Sequence, residues 1–517
     1  MQPVSNNKRI AKNTLFLYIR TIFTMVVSLY TSRIVLATLG VDDFGIYNVV
    51  GGIVMFLSFL NTSMAGATQR FLNFEFGKND MNGVKRVFSN ALIIHFIIAF
   101  IVVLLAETLG VWFLNSHMNI APERMTAANY VLQFSIATMV TSIVSVPYNA
   151  AIIANEKMSA FAYISIIEVS LKLMLVLLLV YSPVDKLITY SALMFLVSMI
   201  IRLLYGWYCK RHFEECRAVK LKVDKTVIMQ MMAFSMWTIV GALASIGHGQ
   251  GISIVMNLFF GVVVNAAYGI ANQVNQVVGN FVNNFMTALN PQIIKTYSAN
   301  QLKEMHILVS RGCRMGFFLV LFFVVPIIIE TPALLGLWLK EVPDYTVDFV
   351  RLVLVITLFN SFSSPLSAAQ GATGNIKNYQ IVLTTLGLLH IPLAWLCFVQ
   401  GLNPNYAMYV YLVIVILEQS FRIIFVSHSI SMHIIPFIRN LLLKCGTVCC
   451  FSFVVPAILH LYLPNNIVIS FSICIIGALS VALFVFIFGI NSDERQGLVK
   501  ICLLYTSPSP RDGLLSR

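Results

Sequence analysis

Charge is scarce in this chain. Only 11% of its 517 residues are Asp, Glu, Lys or Arg, and just 21 are acidic; an ordinary soluble domain carries about 25% charged side chains. A water-solvated surface over the whole molecule is thereby excluded. Cysteine is sparse as well: nine are scattered with no Cys-x-x-Cys pair and no Cys/His metal spacing, which argues against a disulfide scaffold or a zinc module. Cys445, Cys449 and Cys450 share one apolar run and read as small packing residues. Also missing are a Gly-rich phosphate loop, an acidic cluster and any long outer loop, so the usual site of a membrane polymerase, ligase or glycosyltransferase has no counterpart. Neither a cofactor nor a metal is expected, and the chain reads as a non-enzyme.

What is abundant is apolar surface, with 58% hydrophobic residues. Apolar runs of about 20 residues, the length that crosses a roughly 30 Å hydrocarbon core, recur along the chain. Fourteen spans are read, at 14 to 38, 44 to 71, 86 to 110, 127 to 152, 161 to 181, 187 to 208, 227 to 257, 259 to 290, 305 to 330, 346 to 369, 379 to 400, 406 to 428, 439 to 461 and 466 to 489. The first exceeds a signal-peptide core and no small-residue cleavage site follows, so it is expected to be retained. The final "TSPSPRDGLLSR" lacks periodicity and reads as a non-native end.

The net charge of +13 could suggest nucleic acid, but its placement decides otherwise. With the N-terminus on one side, that side collects Lys8, Arg9, Lys12 and most later Lys and Arg, while the other holds only Arg124, Lys186 and Lys340. Basic charge of this kind marks membrane orientation, with both termini cytoplasmic, and predicts no nucleic-acid partner.

The stretch "LGVDDFGIYNVVGG" returns as "GVVVNAAYGIANQ" at an offset of 221, pairing Gly40 with Gly261 and Tyr47 with Tyr268. Further on the offset becomes 220, pairing Asn155 with Asn375, Lys157 with Lys377 and Arg202 with Arg422. Six spans therefore repeat as six, which predicts an all-α protein of two pseudo-symmetric six-helix lobes (1–220 and 221–430), two additional helices (431–490) and a tail (491–517). The repeated glycine is expected to make the tight turn from span 1 to 2 and from span 7 to 8. Asp42 and Asp43 read as hydrated caps of the following helix.

The segment "TSRIVLATLGVDDFGIYNVVGGIVMFLSFLNTSMAGATQRFLNFEFGK", the later "NPQIIKTYSA" and the 6+6+2 plan resemble the polysaccharide-transporter branch of the multidrug/oligosaccharidyl-lipid/polysaccharide (MOP) exporter superfamily. The resemblance implies a MATE-like fold in a bacterial inner membrane. It also implies a flippase, of the O-antigen or capsule type, for undecaprenyl-pyrophosphate-linked oligosaccharides; a polymerase would be its neighbour in assembly. The alternative is a multidrug exporter of the same superfamily, against which stands a span 1 with Arg20 and Arg33 but no acid.

A sugar-carrying path must be polar without trapping its cargo. On a 100° wheel Asn265, Asn272, Gln276, Asn280, Asn283, Thr287 and Asn290 of span 8 share one face, opposite Val274, Val278, Phe281 and Phe285. Amides donate and accept as sugar hydroxyls require; the same face could instead hold helices together. Arg33, deep in span 1 with no acid at helical spacing, is the expected pyrophosphate contact. Arg20, Arg70, Arg202, Arg351 and Arg422 lie near span ends, where long side chains snorkel. Glu168 with Lys172, and Glu418 with Arg422, are four residues apart and read as self-neutralised pairs or coupling groups. His95, His248 and His390 read as packing residues, and Gly247, His248 and Gly249 in "IGHGQG" as a hinge in span 7.

Overall fold

The computed structural model describes residues 3–55, 58–118, 120–217, 222–339, 341–464, 466–491 and 494–495; the side chains of Arg33 and Asp42 and the rest of the tail lie outside the described residues. Among the described residues the chain is helical throughout, and helices occupy all fourteen predicted spans. Eleven are long and apolar enough to cross a bilayer on that criterion alone. Span 8 falls short because of its amides.

The repeated motif has a geometric reason. Pro3–Met55 carries span 1 into span 2 with one non-helical residue, Gly40, at φ 80° and ψ 172°. Lys225–Ser298 carries span 7 into span 8 with one non-helical residue, Gly261, at φ 77° and ψ −167°. That backbone region is essentially closed to residues with a Cβ. A single glycine thus reverses the chain in each repeat. Asp43 falls inside the helix that follows, so it is not a cap: its carboxylate pairs with Arg124 at 2.5 Å, and Arg124 also reaches Asp185 at 2.5 Å. Opposite charge at hand outcompeted the exposed amides that a cap would serve.

Consecutive helices alternate in direction, so the connections near 78–80, 155–157, 213–224, 299–301, 374–376 and 430–433 share one face of the molecule with the basic residues, here called the basic face. Gly40, Gly261 and the loops near 180, 340 and 400 lie at the far face. Apolar packing follows the same division. One core joins spans 7 to 14, and among the described residues Leu17 and Met158 are its fully buried members from the first repeat; two cores toward the far face contain first-repeat residues alone among the described residues. The last two helices, Ile434–Tyr462 and Ile467–Phe484, pack on span 9. Arg314 of span 9, 2% exposed, seals that junction by bonding Glu494 at 2.9 Å and the Gly489 carbonyl at 3.1 Å.

Candidate functional site: a seam, an amide face and a polar pocket

The two repeats meet at the basic face. Arg70, near the end of Ser58–Gly77, donates from Nε to the Gly371 carbonyl at 2.9 Å and from Nη2 to the Ala372 carbonyl at 3.0 Å. These carbonyls end the helix Ser363–Thr373. Lys295, near the end of span 8, does the equivalent in the other direction: its Nζ donates to the Ala154 carbonyl that ends Pro122–Ala154, and to Glu156, each at 2.6 Å. Each repeat therefore places a cation on the negative end of a helix of the other. Gly77 permits the close approach, since a Cβ there would stand 2.5 Å from the Lys295 carbonyl oxygen. Tyr18 against Phe281, and Asn284 donating to Thr21 at 2.7 Å, are the deepest of these bridges.

Beyond that depth the described residues show no bond between the repeats. Around Gly45, Gly51, Gly269 and Gly279 a Cβ would meet nothing within 4 Å. The amide face of span 8 lies here: Gln276, Asn280 and Asn283 are exposed and make no side-chain hydrogen bond among the described residues, Asn272 is half-buried, and Thr287 bonds the Asn283 carbonyl. Val278 opposite is buried, with Val274, Phe281 and Phe285 half-buried. The outer members of the row are used for packing, Asn265 accepting from Ser253 at 2.7 Å and Asn290 donating to Ser364 at 3.4 Å. Amides left bare in hydrocarbon would be costly. Their exposure is explained if they face water and not lipid.

A cavity of about 330 Å³ lies within the second repeat, lined by His248, Tyr379, Gln380, Tyr411, Glu418 and Arg422 among others. Glu418 and Arg422 do not form the pair that their spacing predicts. Arg422 instead donates to Ser367 at 2.7 Å and to the Tyr379 hydroxyl, while the Glu418 carboxylate lies against Gly387. Side-chain partners on neighbouring helices outcompete a flexible i,i+4 contact worth only a few tenths of a kcal/mol, roughly. His248 Nε2 and His390 Nδ1 are hydrogen-bonded at 2.6 Å, His390 also bonds the Ala407 carbonyl, and both rings lie on Tyr411. The glycines around His248 do not break the helix: residues 247–249 are helical, and the backbone break sits at Gly261 instead. In the first repeat Glu168 and Lys172 do pair, at 2.6 Å.

The end-of-span arginines are engaged rather than snorkelling. Arg70 is 9% exposed and packed on Phe71, Phe74 and Phe234. Arg20 lies over Phe161 and Arg202 over Tyr148, and Arg351 bonds the Ile328 carbonyl at 3.0 Å. The reading along the chain missed Lys295, Glu156 and Tyr379 as site residues. A lysine after "NPQII" gives no sign of a carbonyl partner 141 residues away.

The polysaccharide biosynthesis protein family matches residues 10–297, more than half of the chain, and the MatE family matches 240–396. No curated protein matches the chain. Solved structures share its fold. A MATE crystallised in a straight conformation superposes with a TM-score of 0.71 at 13% identity, covering 83% of this chain and 99% of its own. An outward-facing multidrug resistance MATE transporter gives 0.68 at 13% over 84% and 99%. A MOP superfamily transporter from Pyrococcus furiosus, described as having a binding pocket of reversed polarity, gives 0.68 at 12% over 82% and 96%. The helices, the repeat and the family match agree: this multi-pass membrane protein belongs to the polysaccharide biosynthesis protein family, in the polysaccharide-transporter branch of the MOP exporter superfamily.

Proposed function

We propose that the protein is a flippase that carries undecaprenyl-pyrophosphate-linked oligosaccharides across a bacterial inner membrane for surface polysaccharide assembly, with both termini cytoplasmic. The observation that carries this reading is the bare amide face of span 8. Gln276, Asn280 and Asn283 offer donors and acceptors without charge, which suits the hydroxyls of a sugar chain that must be released as readily as it is bound. Asn272 and Thr287 extend the face. Arg33 is the proposed pyrophosphate contact, because its guanidinium fork matches phosphate oxygens and no acid stands at helical spacing on its span. The repeats act as two lobes that rock against each other. Glu418, with Arg422 held away from it, and the Glu168–Lys172 pair are the candidate coupling groups, and residues 247–249 the candidate hinge of another conformer.

The MatE match supports a second reading, a cation-coupled drug exporter. One experiment separates them. Deleting the gene should abolish surface polysaccharide and leave lipid-linked oligosaccharide on the cytoplasmic side, with drug susceptibility unchanged. Normal surface polysaccharide together with raised drug susceptibility would establish the second reading and discard the first. Reporter fusions after Tyr208 and after Asn491 should both report cytoplasm; a periplasmic signal from either breaks the orientation.

A further inference from the structure

A second cavity, of about 500 Å³, lies at the basic face across the seam between the repeats. Arg70, Phe71, Phe74, Glu75 and Lys78 line it from the first repeat; Phe234, Trp237, Asn375 and Lys377 line it from the second. Three cations face one carboxylate. Lys78 is the nearest to it, at 3.7 Å from Glu75, and lies over the Phe74 ring. Lys377 has no carboxylate within 4 Å among the described residues; its ammonium lies 5.7 Å from the centre of the Trp237 ring. Arg70 spends Nε and Nη2 on carbonyls, and its Nη1 has no partner among the described residues. The aromatic part of the lining, Phe71, Phe74, Phe234 and Trp237, lies directly against these charges. A cavity of this make-up takes a small anion attached to an apolar body.

The surroundings say which. On span 7, Met229, Met232 and Met236 are exposed, at 71%, 37% and 53%, and each directly precedes a residue that lines the cavity: Gln230, Ala233 and Trp237. Successive helical residues are turned by about 100°, so an exposed apolar stripe of these methionines runs beside the lining residues of span 7. A phosphate can therefore lie among Lys78, Lys377 and Arg70 while its acyl chains follow the methionines into the bilayer. The volume suits a phosphodiester with a small alcohol, being at the lower end of the roughly 300–1,000 Å³ of small-molecule sites. We infer that this cavity is a binding site for an anionic phospholipid headgroup, held by both repeats at once. Because the cations come from both sides of the seam, a lipid seated there favours the arrangement in which the basic face is closed. None of this depends on what the transporter carries.

The test uses the full chain in nanodiscs of phosphatidylcholine with phosphatidylglycerol, released into native mass spectrometry to read which lipid stays bound. The parent should retain one phosphatidylglycerol in preference to phosphatidylcholine. Lys78→Gln with Lys377→Gln should lower that preference about tenfold or more. Lys210→Gln with Arg211→Gln, an exposed basic pair at the same face that does not line the cavity, should leave it intact. Equal losses in the two double variants would reduce the effect to general surface charge and overturn the site. So would a parent with no lipid preference, or one that retains added inorganic pyrophosphate and not phosphatidylglycerol.

Discussion

Arg70 and Lys295 are unrelated in sequence context yet do one job. Each neutralises the carbonyl end of a helix in the other repeat, an interaction of roughly 0.3–1 kcal/mol at a surface and up to about 2 when half-buried. Neither role was legible, because a backbone carbonyl leaves no mark in the sequence and the Arg70 partners lie 301 and 302 residues away. Glu494 was hidden for the same reason, 180 residues from Arg314. Burial raises its carboxyl, but the Asn491 amide, Arg314 and Arg311 outweigh that and hold it below the usual range. A depressed folded value gives stability above the unfolded value of about 4.3, lost as pH falls through the folded one. Glu494→Gln should therefore cost on the order of 3 kcal/mol at pH 7, since Arg314 stays buried without its partner. Thermal unfolding in detergent should show the gap from the parent narrowing below about pH 4; a gap unchanged with pH contradicts the assignment.

At the scale of the helix, the far-face turns were the most legible part of the fold. The repeat offset alone points to Gly40 and Gly261, because a backbone conformation that needs glycine constrains residue type directly. Gly261→Ala should lose roughly 1–3 kcal/mol and reduce folded protein in the membrane, although its Cβ would meet open space. Unchanged abundance and unfolding temperature would refute the backbone argument. The amide face of span 8 was legible too, from its 3.6-residue period. Its ends were not: Asn265 and Asn290 share the face yet bond to neighbouring helices, which no wheel can show. Asn280→Ala or Asn283→Ala alone should be mild in a transport assay. Gln276, Asn280 and Asn283 changed to Ala together should lower transport at least tenfold at equal abundance, since the loss accumulates at roughly 0.5–1.5 kcal/mol per hydrogen bond. Full transport by the triple variant would show that these amides do not contact the cargo. The four-residue spacing of Glu418 and Arg422 carries no trace of the rivals Ser367 and Tyr379, which take the guanidinium instead.

Across the whole molecule, the bridges between the repeats gather at the basic face and the amides are bare beyond them. Under the proposed rocking mechanism that asymmetry corresponds to the end of the cycle that is closed at the basic face. Gly77 stands at the tightest point, so Gly77→Ala should wedge the seam apart against the Lys295 backbone. Spin labels at Lys157→Cys and Ala299→Cys, in a background without native cysteines, should then move apart; an unchanged distance would mean that the seam is not the moving contact. The most direct measurement is transport by the locked protein. Glu156→Cys and Lys295→Cys, joined by a short reducible bis-thiosulfonate cross-linker in proteoliposomes, hold the basic face closed while lipid-linked oligosaccharide flipping is read from sugar exposed to an impermeant glycosidase. The account predicts no flipping in the cross-linked protein and recovery on reduction. Flipping at the parental rate with the cross-link intact would contradict it.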